Sequence, residues 1–199
     1  MTAPLVTNIG DSLQLVLGTV FLVAAVGKLR APSRSVAAVR GYQLAPSMLS
    51  GPLTGALVVV EALVGFSLLS GWSLEAGVPA AGGLLLILAS AVGINLRRGR
   101  AVPCGCFGSV TERISLRTLA RLGLLMLSAI GLAGIRLVWS PSPLNVTSIL
   151  TGGTSGLERL VAAASLAAFL AVVAMWILLV PEIRALLLHR SLQQAVRRP

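Results

Sequence analysis

The sequence predicts an all-α membrane protein, a polytopic helix bundle with about five transmembrane helices. Three observations carry that prediction. Of the 199 residues, 56% are hydrophobic and 11% charged, with a mean hydropathy of +0.93, far outside the range of soluble domains. Uncharged apolar stretches, each about 20 residues and so able to cross roughly 30 Å of hydrocarbon as helix, recur along the chain. The Lys and Arg residues fall in alternate connections between those stretches.

Taken in order, the spans run from Ser12 to Leu29, Leu49 to Ser70, Ala76 to Leu96, Leu116 to Trp139 and Leu160 to Pro181. The first reads as a span and not as a cleaved leader, because MTAPLVTNIGD carries no Lys or Arg and no A-x-A-like site follows it. Glu61 interrupts the second, near the bilayer centre, where a carboxylate costs at least ~2.5 kcal/mol unless it is protonated or paired. In the third, Asn95 is a candidate for an interhelical hydrogen bond. The fourth holds only 14 uncharged residues between Arg121 and Arg136, about 21 Å of helix. Arg121, Arg136 or both therefore enter the membrane thickness, snorkelling toward an interface or facing the bundle interior, with Arg136 able to reach the outer surface and Arg121 sharing a helical face with Arg117. For Glu61 the sequence offers Arg121 as a partner and, less easily by depth, Lys28. Gly51 and Gly55 read as a close helix contact. After the fifth span, EIRALLLHRSLQQAVRRP has the pattern of a basic surface helix.

The formal charge of +10 raises nucleic acid as a partner, but membrane topology accounts for it. Fourteen of the 16 basic residues lie on one side of the five spans; Arg136 and Arg159 lie on the other with Asp11, Glu75 and Glu158. The positive-inside rule then places the protein in the cell (inner) membrane, N-terminus outside, with the C-terminus and the connection between spans three and four in the cytoplasm. Trp72 and Trp139 fall at the outer ends of spans two and four, as interface anchors. The lipid bilayer is the partner this charge pattern implies, and no nucleic acid is needed.

That third-to-fourth connection, RRGRAVPCGCFGSVTERIS, holds the chain's two cysteines, Cys104 and Cys106. A disulfide stabilises by closing a long loop in the unfolded chain, so a bond across one glycine has little structural use. Gly105 nevertheless lets the backbone fold to the distance a disulfide needs, and a small strained ring is the labile, exchanging kind. Arg97, Arg98 and Arg100 favour the thiolate, the nucleophile in exchange. Two adjacent thiolates also suit a soft metal ion, though the chain supplies no further Cys and only His189. Three readings stay open: a membrane thiol–disulfide oxidoreductase, a non-enzymatic scaffold or small-solute transporter built on Glu61 and Arg121, and a Cys-based metal-binding protein.

Three segments together, AAVGKLRAPSRSVAAVRGYQLAP, VVVEALVGFSLLSG and NLRRGRAVPCGCFG ahead of SLRTLARLGLLM, resemble the MauE family of methylamine-utilisation membrane proteins, grouped with DoxX-like redox-associated proteins. The resemblance covers about residues 12 to 135. It implies a four-helix MauE/DoxX-like domain over residues 1–135, leaving 136–199 for an external loop, a fifth helix and a basic tail. It also implies a part in disulfide formation, processing or transport during maturation of the methylamine dehydrogenase β subunit, beside a thioredoxin-like partner. Carried over by position, Cys104 and Cys106 are the redox pair, with Lys28, Glu61 and Arg121 as membrane-embedded support. A lipid-soluble quinone or a thioredoxin-like protein is the expected electron partner. Such a client matures outside the cytoplasm, where disulfides persist, whereas the arginines put the cysteines inside. Electrons then cross the membrane, or the partner is cytoplasmic, or the topology is inverted.

Overall fold

The computed structural model describes residues 2–100, 102 and 114–139, together with 158, 161, 162 and 164. Cys104 and Cys106 lie outside the described residues, as does the fifth span apart from three positions. The described chain is all helix: α1 (Thr2–Arg30), α2 (Pro32–Tyr42), a single 3-10 turn (Ser47–Leu49), α3 (Ser50–Ser70), α4 (Leu74–Arg97) and α5 (Leu116–Trp139). Four segments within it are long and apolar enough to cross a membrane: Val6–Arg30, Ser47–Ser70, Leu74–Arg97 and Leu116–Trp139.

These four form a closed ring in which α1 packs against α3 and α5, and α4 packs against α3 and α5. Its interior is aliphatic, with Leu17, Phe21, Leu68, Leu85, Val92 and Leu132 among the buried side chains. The outer faces are also apolar: Leu63, Phe66, Ile87 and Leu127 are each more than half exposed. A surface of that kind is intolerable in water and ordinary in lipid, so the bundle is a helical membrane domain. Successive long helices run antiparallel. One end of the ring therefore collects Arg30, Arg34, Arg97, Arg98, Arg100 and Arg117, while Trp72 and Trp139 stand exposed at the other.

Local chemistry sets the ends. Gly71 closes α3 in the left-handed region (φ 72°), and the turn is tied by Ser67 Oγ donating to the Trp72 carbonyl at 2.7 Å. Pro32 opens α2, where the missing N–H costs nothing, and Gln43 in the left-handed region ends it. The sequence reading treated this stretch as a plain connection. Its 11 residues form a helix that packs on α3 and, more lightly, on α1.

Two further expectations are corrected. Helix α1 begins at Thr2 and its apolar span at Val6, six residues before the expected Ser12, and Asp11 and Ser12 are buried inside the bundle and do not mark its surface. Gly51 and Gly55 meet nothing among the described residues: a methyl on either would find none of them within 4 Å. The close contact is between Gly18 of α1 and Gly65 of α3. A Cβ on Gly65 would fall 2.9 Å from the Leu22 backbone nitrogen and 3.0 Å from the Gly18 carbonyl oxygen. Small residues let backbones approach where lipid supplies no hydrophobic drive between helices.

Candidate functional site

Lys28 and Glu61 meet inside the bundle. The Lys28 ammonium donates to both carboxylate oxygens of Glu61 at 2.8 Å, and the two side chains are only 5% and 1% exposed. The sequence reading set Arg121 ahead of Lys28 as the partner, and the structure corrects that order. The reason is directional. In a helix each Cα–Cβ bond tilts toward the N-terminus, so Lys28, close to the C-terminal end of α1, sends its long side chain back into the bundle. On α5, which starts at the basic end, the same tilt carries Arg121 toward that end and away from the bilayer centre. Arg121 is half-buried there, one turn from Arg117.

The end of α1 is tied down beside the pair. Ser35 Oγ of α2 hydrogen-bonds the Ala31 carbonyl at 3.1 Å and reaches the Lys28 carbonyl at 3.5 Å. Helix α2 thus reaches the backbone of Lys28 itself. It also reaches the cysteine connection: a Cβ on Gly41 would lie 2.9 Å from Val102 Cγ1, and the Arg100 guanidinium donates to the Gln43 side-chain oxygen. Val102 and Ile114, the described residues that bracket positions 103–113, are both buried, and the Ile114 N–H donates to the Val102 carbonyl at 2.9 Å. The roots of the cysteine segment are therefore held together at the basic end of the ring.

A second polar layer lies toward the opposite end, and the sequence reading missed it. Gln14 of α1 donates to the Leu68 carbonyl of α3 at 2.7 Å and accepts from the Arg136 guanidinium of α5 at 2.9 Å. Of the two courses open to it, interface or bundle interior, Arg136 thus takes the inward one, to Gln14. Asp11 and Gln14, three positions apart on α1, are 2% and 0% exposed. The available signal was the spacing of Asp11, Ser12 and Gln14 on one helix, opposite the short uncharged run of α5.

Asn95 is fully buried, but its amide nitrogen donates to Ala91 of its own helix at 3.0 Å, not across helices. Its Oδ1 has no hydrogen-bond partner among the described residues. Among those residues, too, no cluster of three His, Cys, Asp or Glu could hold a metal ion.

Residues 6–134 match the family model described as methylamine utilisation protein MauE. The chain is 33% identical over 152 residues to the methylamine utilization protein MauE of Paracoccus denitrificans, covering 73% of this chain and 76% of that protein. To the methylamine utilization protein MauE of Methylophilus methylotrophus it is 28% identical over 137 residues, covering 68% and 69%. No solved structure matches.

Proposed function

The chain belongs to the MauE family, and on that premise we propose that it is a membrane accessory protein of methylamine utilisation whose Cys104–Cys106 pair exchanges disulfides with a client during maturation. The client class is that implied by the resemblance, the methylamine dehydrogenase β subunit. In the exchange a client thiolate attacks the Cys104–Cys106 disulfide, giving a mixed disulfide and one free cysteine thiolate. The client's second thiolate then displaces the bound cysteine. Two electrons and two protons have passed from client to pair, and a thioredoxin-like disulfide or a lipid-soluble quinone restores the oxidised form.

What supports this reading is the bond between Ile114 and Val102, which pins both roots of the cysteine segment to the basic end of the ring. Arginine-rich surroundings there favour the thiolate. On the charge bias that end is cytoplasmic and the chain an inner-membrane protein. The buried Lys28–Glu61 pair, which joins α1 to α3, has with Arg121 of α5 the supporting role of holding together the bundle on which the loop is mounted.

The test is acid-quenched, non-reducing electrophoresis of membranes carrying Cys104→Ser or Cys106→Ser. One single variant should accumulate a client adduct, formed by the reverse step as its remaining thiolate attacks the oxidised client's disulfide and releases a client thiolate, and the double variant should show none. Full client maturation in the double variant would refute the exchange. An impermeant thiol reagent on intact against lysed cells reads which side the pair occupies, labelling only after lysis being the expected result.

A further inference from the structure

We infer that the apolar pocket beside the Lys28–Glu61 pair is a binding site for the ring of a lipid-soluble quinone. The inference deepens the exchange reading by naming the class of its two-electron acceptor, and rests on that reading for the acceptor's role though not for the binding itself.

The pocket has a volume of about 240 Å³ and takes its walls from α1, α2, α3 and α4, with Lys28, Tyr42, Leu53, Leu57, Ile87 and Ala91 among its lining. Size bounds the occupant. An apolar cavity of about 150 Å³ holds benzene, so this one takes a substituted six-membered ring but not a long chain folded on itself. A tail must leave through the opening. The opening is toward lipid, since Leu53 and Ile87, 44% and 66% exposed, belong to the apolar outer surface of the ring. A molecule that enters there arrives dissolved in hydrocarbon.

Polarity narrows the class further. Apart from Lys28 and Tyr42 the lining side chains are all aliphatic. The Lys28 charge is matched by both Glu61 oxygens at 2.8 Å, so the site offers no net charge to compensate the desolvation of an anionic headgroup. A zwitterionic phospholipid headgroup meets the same cost. A neutral carbonyl oxygen does not: it is drawn to the positive end of the ion-pair dipole and can accept from an ammonium or a phenol. A neutral ring that bears carbonyl acceptors, dissolves in lipid and trails a tail is a quinone.

The test uses the full chain in phosphatidylcholine nanodiscs, irradiated with an azido-benzoquinone carrying a decyl tail and mapped by peptide mass spectrometry. Label is expected on the α2, α3 and α4 peptides that hold Tyr42, Leu57 and Ala91. An excess of unlabelled decyl-benzoquinone should lower it about tenfold, as should Ala91→Trp, which fills the pocket. Leu57→Phe serves if Ala91→Trp loses its helical circular dichroism, and competition in the unmodified chain decides without either. Label spread over the lipid-facing helices, or a phospholipid in the pocket that quinone does not displace, would overturn the inference. The double Cys104→Ser/Cys106→Ser chain should label equally, so a labelled pocket without client adducts sinks the exchange and spares the site. Client adducts with an unlabelled pocket do the reverse.

Discussion

Replacing Glu61 by Leu leaves the Lys28 ammonium buried and uncompensated, and replacing Lys28 by Met does the same to the carboxylate. At 2.8 Å and an effective dielectric near 20, the attraction lost is about 6 kcal/mol. Much of that offsets the desolvation of both ions, so the net effect of breaking a buried pair from one side is smaller, ~3–5 kcal/mol. Removing both charges together is different, since Lys28→Met with Glu61→Leu takes away the desolvation cost along with the attraction and fills the space with apolar atoms. That double variant should lie within about 1 kcal/mol of the native chain, or above it in stability. The assay is reversible unfolding in mixed micelles, titrated with a denaturing detergent and followed by helical circular dichroism. The cycle should yield a coupling of at least ~3 kcal/mol. Single effects that add to within ~0.5 kcal/mol in the double variant would mean the two groups do not act as a pair, and the geometric argument would fail.

The remaining predictions concern glycine contacts and one orphaned amide. Gly65→Val forces α1 and α3 apart and should destabilise by about 1–3 kcal/mol in the same assay, whereas Gly55→Ala, which meets none of the described residues, should be neutral or stabilise by up to ~1 kcal/mol. Asn95→Leu removes a buried acceptor with no partner among the described residues and should leave the unfolding midpoint unchanged or raised; a loss above ~2 kcal/mol would show that Oδ1 is satisfied from elsewhere. Gly41→Val pushes on Val102 from α2, so client adduct formation in the trapping assay should fall several-fold, while unfolding stability shifts by less than ~1 kcal/mol. Equal adduct yield from that variant would argue against α2 as the support of the cysteine segment.

The four described spans were legible because lipid demands about 20 apolar residues per crossing, a signal that survives any detail of packing. Helix α2 was not, since its 11 residues mix Arg34 and Arg40 with alanines and no membrane rule marks so short an element. The start of α1 was misplaced for an instructive reason. Asp11 looks like the polar end of an apolar run, but it is buried in the folded bundle, which the sequence of one helix does not reveal. Lys28 and Glu61 stood out singly as ionisable residues in lipid. Their pairing did not, because counting residues along each helix fixes the depth of a Cα and ignores the tilt that carries a long side chain several ångströms along the axis. The Gly18–Gly65 contact lies between two helices, so spacing within either one could not reveal it, and the Gly51–Gly55 spacing pointed to a face that touches nothing among the described residues.

Between transmembrane helices there is no hydrophobic drive of the kind that folds soluble domains, so specific contacts must decide which helices adjoin. Helix α1 supplies a large share of them: the glycine contact to α3, the ion pair to α3, and the Gln14 layer that joins α3 and α5. By contrast α4 and α5 meet through a largely aliphatic interior, with Leu84, Leu85, Ala129 and Leu132 in the core. The cysteine segment connects α4 to α5, the less polar half, while the ion pair sits in the other. What joins the halves at the basic end is α2, bonded through Ser35 to the end of α1 and touching Val102 and Arg100 through Gly41 and Gln43. A short helix with no span of its own is therefore the element that links the end of α1, beside the buried charges, to Val102 and Arg100 at the end of α4.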